Sequence, residues 1–437
     1  MFLHYIDLSW RSFKRTPLVS LLMVLAIAIG IGVTMTSLSI HHMMSKDPIP
    51  QKSAVLHHLQ LQTMDEGQSY FSKDDLPFQV TYQDAMNIQN ANLPYLRSAM
   101  YKSGFSVHLN SPEQKPFVEE VRLSSRDIFA MFDLKFIYGG TWTQQQQDDI
   151  APVAVISKSI NDKLFKGENS IGKSFYLDDI RVQVVGVIED WITPVKYYDT
   201  NNGSFDDPEK IFIPLSLGIT NEVHTWGNTN GWKNEQDDTF KDLLVSENLW
   251  LQFWVQLNNE QEKQEFGQYI MSYMKQQQSL GRFNREELDY NLFNVTEFMD
   301  YRGVVKHDNK IMVTLSFMFL AVCIANILSL LLAKFLRRAP EIGVRRALGA
   351  SKRQVFYQHL VEVSLLGLFG GVLGIVFAQI GLWGVRVSHG AYDALANMDV
   401  TMLMAAPVIA ITACIVAGLY PAWVVCRTTP AIYLKSQ

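Results

Sequence analysis

One stretch of the chain has the spacing of a phosphate cradle. Gly167-Glu168-Asn169-Ser170-Ile171-Gly172-Lys173-Ser174 sets out a Gly, four residues, then Gly-Lys-Ser. In a nucleotide site such a loop follows a buried strand and opens a helix, so that backbone N–H groups and the helix dipole face the phosphates. Here the neighbours run in the opposite order. Lys158 to Phe165 has helical periodicity before the loop, and the alternating Phe175-Tyr176-Leu177 after it reads as strand. The expectation is a helix-to-strand turn, with no catalytic residue, metal site or cofactor in this chain.

A second cluster suits mechanical work. From Arg338 to Val355 the sequence reads RAPEIGVRRALGASKRQV. Pro340 suits the start of a short helix and Gly349 its end. Val344, Ala347 and Leu348 then share one face with Arg345 and Arg346 beside them. Ser351 and Gln354 have the spacing of a capping box that would start the next helix. A short capped helix with an apolar stripe has the shape of an element that docks in a groove of another protein. The plainer reading is a basic loop lying on anionic lipid. Small residues form a third set. Gly367, Gly370, Gly371 and Gly374 make two overlapping Gly-xxx-Gly pairs, and Ala26 with Gly30 and Ala28 with Gly32 offer the same close approach, within one protomer or across a dimer.

The elements that position these residues are membrane spans. Crossing roughly 30 Å of hydrocarbon takes about 20 helical residues, and four apolar runs are long enough: 18–40, 311–333, 361–385 and 401–425. Glu362, at the start of the third, is expected to reach the interface. The other three runs carry no charge, so no buried charged route for ions or polar solutes is expected. The first run follows Arg11, Lys14 and Arg15 like a signal peptide, but it is longer than a signal core and lacks a small-x-small cleavage site, so a retained anchor is expected. Residues 1–17 fit either a short amphipathic helix on the inner leaflet or a plain flanking segment.

Orientation follows the basic residues. Of 38 Lys and Arg, 12 lie before the first run, in the loop 334–360 or in the tail 426–437, with only Asp7 and Glu341 of the 43 acids beside them. Both termini are therefore expected in the cytoplasm. Residues 41–310 are expected as an exported domain and 386–400 as a short exported loop. The acidic balance of the exported part excludes nucleic acid as a partner. All three cysteines, Cys323, Cys414 and Cys426, lie in or at the ends of spans, so the exported domain must hold by packing without a disulfide.

Within 41–310 the patterning predicts strands at Ala54–Gln62, Phe105–Leu109, from Val118, at Val153–Ile156, as two strands around Asp178-Asp179 within Ser174–Ile188, and at Trp250–Leu257. Helices are predicted at Tyr82–Ala91, Arg126–Phe132, Lys158–Phe165 and Glu260–Gln277, with a turn at Gly139-Gly140. The glutamine runs at 144–147 and 276–278 read as solvated surface. Residues 191–249, with Asn201-Asn202-Gly203, Trp226 and Trp232, break this rhythm and read as a second lobe or a long insertion. The fold class is an α-helical membrane protein with four transmembrane helices, one then three, and a large extracytoplasmic α+β domain inserted between the first and second.

The stretch from Glu341 to Ser351, EIGVRRALGAS, resembles the signature loop of MacB- and FtsX-type ABC transporter permeases. Val155 to Asp190, with Leu164-Phe165, Gly167-Glu168-Asn169 and Gly172-Lys173, resembles that family's exported domain. Gly418-Leu419-Tyr420-Pro421-Ala422 through Pro430-Ala431 resembles its closing segment. The resemblance covers most of the chain and is weakest at 191–249.

The resemblance implies a dimeric, multi-pass permease of the bacterial inner membrane, pairing with a second copy or a related permease. Its spans would transmit movement to the exported domain, with ATP bound and hydrolysed by a separate ABC ATPase, since the fused ATPase of MacB is not seen here. It makes Glu341, Ile342, Val344, Arg345, Arg346, Leu348 and Ser351 the candidate ATPase-coupling residues, and Gly30, Gly367, Gly370, Gly371 and Gly374 candidate packing positions. Membrane lipids are expected partners, and a periplasmic adaptor with an outer-membrane channel is left open. Export of peptides, antibiotics or other amphiphiles is the leading function. The alternatives are an FtsX-like regulator of an exported enzyme and a lipoprotein-releasing permease.

Overall fold

The apolar runs form helices that outlast the runs themselves, because polar ends still complete helical turns once they reach the interface. A computed structural model describes residues 2–68, 75–111, 114–201, 203–204, 206–235, 238–304, 307–388, 398 and 400–427. Asn202, most of the expected loop 386–400, Pro430-Ala431 and Lys435 lie outside the described residues.

The first helices are α1 (Phe2–Arg15) and α2 (Pro17–Ser45). Next come β1 (Leu56–Leu61), α3 (Tyr82–Gln89), β2 (Arg97–His108), β3 (Phe117–Ser124), α4 (Ile128–Met131), β4 (Phe136–Gly139), α5 (Gln144–Asp148) and β5 (Val153–Ser157). They are followed by α6 (Lys158–Phe165), β6 (Ser174–Leu177), β7 (Ile180–Ile188), β8 (Ile211–Pro214), α7 (Leu215–Thr220) and α8 (Phe240–Val245). After these come β9 (Gln252–Gln256), α9 (Glu260–Ser279), β10 (Tyr290–Asn294) and α10 (Val295–Tyr301). The last helices are α11 (His307–Arg337), α12 (Ala339–Ala347), α13 (Lys352–Ser388) and α14 (Val400–Arg427). Two compact units result, one of Asp47–Val304 and one of Met1–Lys46 with Val305–Gln437.

In the unit 47–304 one mixed sheet runs in the order β10-β1-β9-β2-β3-β8-β5-β7-β4, with β6 pairing β2 and β7. The β3/β8 and β5/β7 pairs are parallel. Side chains alternate across a strand, so β9 sends Phe253 and Val255 into one core and Trp254 into another. The first core holds Leu59, Val121, Phe266 and Ile270, the second Phe132, Trp142, Tyr197 and Phe298. Both faces are thus covered, which explains the fully buried β1, β5 and β8. The run Gln144–Gln147 is helical, capped by a reciprocal box with Thr143, and exposed only at Gln144 and Gln145, while Gln277 of the second run is buried on α9, against the expectation of solvated surface.

The described residues of 191–249 form no separate lobe. They supply β8, hydrogen-bonded between β3 and β5 inside the sheet, and fully buried acids. Arg122 on β3 is flanked by Asp199 and by Glu209, whose Oε1 lies 2.5 Å from the guanidinium, and Lys196 Nζ is 2.7 Å from Glu209. The Trp226 ring covers Gly104, where a Cβ would come within 2.2 Å of it.

In the other unit α2, α11, α13 and α14 are each long and apolar enough to cross a membrane. α13 packs on α2 and α14, and α11 also packs on α2 and α14. Glycines set these approaches. A Cβ at Gly367 or Gly371 would meet the α14 backbone, at Ile411 Cα (2.8 Å) or Pro407 Cα (2.9 Å). One at Gly370 or Gly374 would meet Ile27 (2.4 Å) or Ile31 (2.7 Å) on α2. Gly30 faces Leu320 and Cys323 of α11, and Gly32 faces Phe377.

Candidate coupling site

Helix α12 is short because its ends are both fixed by sequence. Pro340 lies in its first turn, and Gly349, at φ +105°, leaves the helical region where a side chain would be strained. The closing turn is held by Gly349 N–H donating to Arg346 O (3.1 Å) and Ala350 N–H to Arg345 O (3.1 Å). Ser351 then starts α13. Gln354 N–H donates to Ser351 Oγ (3.2 Å), and Ser351 N–H to Gln354 Oε1 (2.9 Å).

One face of α12 is buried through Ala339, Ile342 and Gly343. Ile342 therefore seats the helix and is not available for contact from outside the chain. The opposite face is open: Val344 is 49% exposed, Leu348 is 83% exposed, and Ala347 is exposed between them. Glu341 joins neighbouring elements, 2.9 Å from Arg345 along α12 and 3.3 Å from Arg15 of α1. Arg346 Nη1 donates to the carbonyl of Cys426 in α14 (3.2 Å). Ser351 is spent on its cap.

Below α12 lies a feature that the sequence reading missed. Glu362 does not reach an interface; it is fully buried where α1, α11 and α13 meet. Lys334 Nζ is 2.8 Å from its Oε1 and also donates to Ser20 Oγ (3.3 Å). Ser12 Oγ donates to Glu362 and accepts from Arg338, whose Nη2 also donates to Ser12 O (3.1 Å). His359 Nδ1 lies 3.6 Å from Oε2, with the imidazole 4.1 Å from the Phe335 ring. The expectation that Glu362 reaches the interface is corrected accordingly. A carboxylate in an apolar segment is stable only when paired, and the end of α11 supplies the cations. The cluster joins helix ends. The signal was present as Lys334 and Arg338 flanking the apolar run of α11, but which helix end met Glu362 depended on packing.

The phosphate-cradle spacing in the unit 47–304 proves to be a turn. Lys166 (φ 58°) and Gly167 (φ 78°) end α6, and Gly172 (φ 85°) leads into β6. Four of its amides donate within the unit. Glu168 N–H donates to Phe165 O (3.2 Å), Gly172 N–H to Val184 O (2.8 Å), Lys173 N–H to Ser170 O (2.9 Å), and Ile171 N–H to Asn169 Oδ1 (3.1 Å). Lys173 Nζ pairs with Glu168 at 2.9 Å. Strand β6 follows the loop where a nucleotide site would open a helix.

Comparison with known proteins bears on both units. The profile of the MacB-like periplasmic core domain matches residues 20–272, and that of the FtsX-like permease C-terminal region matches residues 313–430. The chain is 22% identical over 328 residues to the macrolide export ATP-binding/permease protein MacB of Syntrophobacter fumaroxidans, covering 68% of this chain and 45% of that protein. It is 21% identical over 305 residues to the uncharacterized ABC transporter permease YvrN of Bacillus subtilis, covering 68% of each. Among solved structures, the periplasmic region of MacB from Actinobacillus actinomycetemcomitans aligns at 13% identity and a TM-score of 0.37, over 60% of this chain and 97% of that one. The chain thus spans less than half the length of the macrolide exporter it matches. With one profile over more than half of its length and the other over its last three spans, the chain belongs to the MacB- and FtsX-like family of ABC transporter permeases.

Proposed function

We propose that this permease passes the closure of an ABC ATPase through α12 into movement of the unit 47–304, and so drives export of a peptide, antibiotic or other amphiphile. ATP is bound and hydrolysed on the ATPase, the permease acts as a pair, and the unit 47–304 lies outside the cytoplasm. The observation that carries the reading is the construction of α12. Its inner face is fixed to the membrane helices, while Val344, Ala347 and Leu348 stay open beside Arg345 and Arg346. A rigid lever with an apolar tip and a cationic rim suits a groove in a partner that moves. The match of the unit 47–304 to a MacB-like core, rather than of the spans alone to an FtsX-like region, supports export over regulation of an exported enzyme.

The test is charge reversal at Arg345 and Arg346, with Leu348→Asp as a separate variant, because both arginines also hold contacts within the chain and Leu348 stands free of the core. Each should lower co-purification of the ATPase and its permease-stimulated turnover while the permease still folds. Unchanged ATPase association and turnover in Leu348→Asp and in the double arginine variant would remove α12 from the coupling role.

A further inference from the structure

The two faces of α1 do different work. Ser12 and Arg15 turn toward α12 and α13, where they join Glu362, Arg338 and Glu341. Trp10, Phe13 and Lys14, at helical spacing with Pro17, instead line an apolar cleft of about 420 Å³ between α1, α2 and α13. Phe369 closes the α13 side, with its ring centroid 6.3 Å from Trp10 and 6.4 Å from Phe13. Leu21 and Val24 continue the wall along α2.

We propose that this cleft holds an acyl chain of an anionic phospholipid from the surrounding membrane, with the lipid phosphate on Lys14. The apolar wall begins at Pro17, where α2 enters its membrane span, so its mouth lies at headgroup depth and its length runs into hydrocarbon. Charge complementarity selects the headgroup. Among the cations of α1, Arg11 is 2.9 Å from Asp7 and Arg15 is 3.3 Å from Glu341. Lys14 makes no ion pair among the described residues and sits 6.0 Å over the Trp10 ring at the edge of the cleft. Among the described residues it is the only charged side chain lining the cleft, and the neighbouring Ser20 hydroxyl accepts from Lys334. A single unpaired cation at the mouth of an apolar groove matches an amphiphile with one anionic end. Free phosphate would leave the groove unused, and a zwitterionic lipid would place its own cation against the lysine.

Trp10, which is 50% exposed, provides the probe. Full-length protein is reconstituted in phosphatidylcholine vesicles doped with phosphatidylglycerol or phosphatidylcholine brominated on the acyl chain. Trp10 quenching is read as the difference between the parent and Trp10→Phe. Phosphatidylglycerol should quench at about fivefold lower mole fraction, the preference that one lysine near an anionic surface provides. Lys14→Gln should abolish that preference and Lys14→Arg should keep it. Val24→Phe, which fills the groove, should weaken quenching by both lipids. Equal quenching by the two headgroups in the parent, or a preference that survives Lys14→Gln, would overturn the proposal. So would protection of Trp10 from both lipids, the outcome if a second copy or another protein covers the cleft.

Discussion

Arg122 is the most heavily committed side chain of the unit 47–304. It is fully buried, salt-bridged to Asp199 and Glu209, and stacked over the Tyr198 ring at 5.1 Å. Glu209 in turn accepts from Lys196 (2.7 Å) and from the Tyr198 hydroxyl (2.8 Å). Burial alone would push the Glu209 carboxyl up. Arg122 and Lys196 outweigh it and hold the group well below its ordinary value of 4.5. Removing one partner of a buried pair leaves the rest of the charge unbalanced in a poor solvent. Glu209→Gln is therefore expected to cost roughly 3–5 kcal/mol in unfolding free energy. The sign with pH follows from linkage. Below about pH 4.5 the unfolded chain takes up a proton at this carboxyl that the folded chain refuses. Stability from Glu209 is thus complete above that pH and falls as pH drops toward the lowered folded value. Denaturant titrations at neutral and acidic pH should show this loss in the parent and a shallower one in Glu209→Gln. A cost under about 1 kcal/mol, typical of a surface pair, would show that the network is not closed to water.

At the scale of elements, the spans were legible because length and apolarity alone define them, and so were the α6 turn and the Ser351 cap, which depend on neighbours a few residues away. Elements with distant partners were not. β8 is four residues long in a polar stretch, and only its place between β3 and β5 makes it a core strand. Glu362 was misread for the same reason, since Lys334 and Ser12 come from other helices. The Gly-xxx-Gly pairs were visible as spacing, while the identity of the facing helices was not. The geometry now gives an expectation. At Gly371 a Cβ would lie 2.9 Å from Pro407 Cα, so α13 and α14 must move apart to admit it, whereas at Gly384 nothing lies within 4 Å. Overpacking of this kind costs about 1–3 kcal/mol. Thermal unfolding in detergent should show Gly371→Ala clearly destabilised and Gly384→Ala close to the parent. Equal behaviour of the two would mean that the α13–α14 seam is looser than its distances imply.

Over the whole molecule, charge gives a direction to the proposed stroke. The ion cluster around Glu362, helix α12 and the basic residues of α1 all belong to one end of the membrane unit, and among the described residues that end carries 11 of the 38 Lys and Arg with few acids. Basic residues flanking spans are retained on the cytoplasmic side. Both termini and α12 should therefore face the compartment where ATP is available, and the unit 47–304 the opposite one. The native thiols leave this open to a direct measurement, because Cys323, Cys414 and Cys426 are all buried and unpaired and should give little background. Gln145 on α5 and Arg353 at the start of α13 are both exposed. In cells whose outer barrier admits a small, charged maleimide, Gln145→Cys should label while the inner membrane is intact, and Arg353→Cys only after that membrane is permeabilised. The reverse pattern would place α12 away from any cytoplasmic ATPase, and the coupling role of Arg345, Arg346 and Leu348 would fall with it. Labelling of both positions in intact cells would instead contradict a four-span arrangement, since α11 is the one candidate span between Gln145 and Arg353 and puts them on opposite sides if it crosses the bilayer.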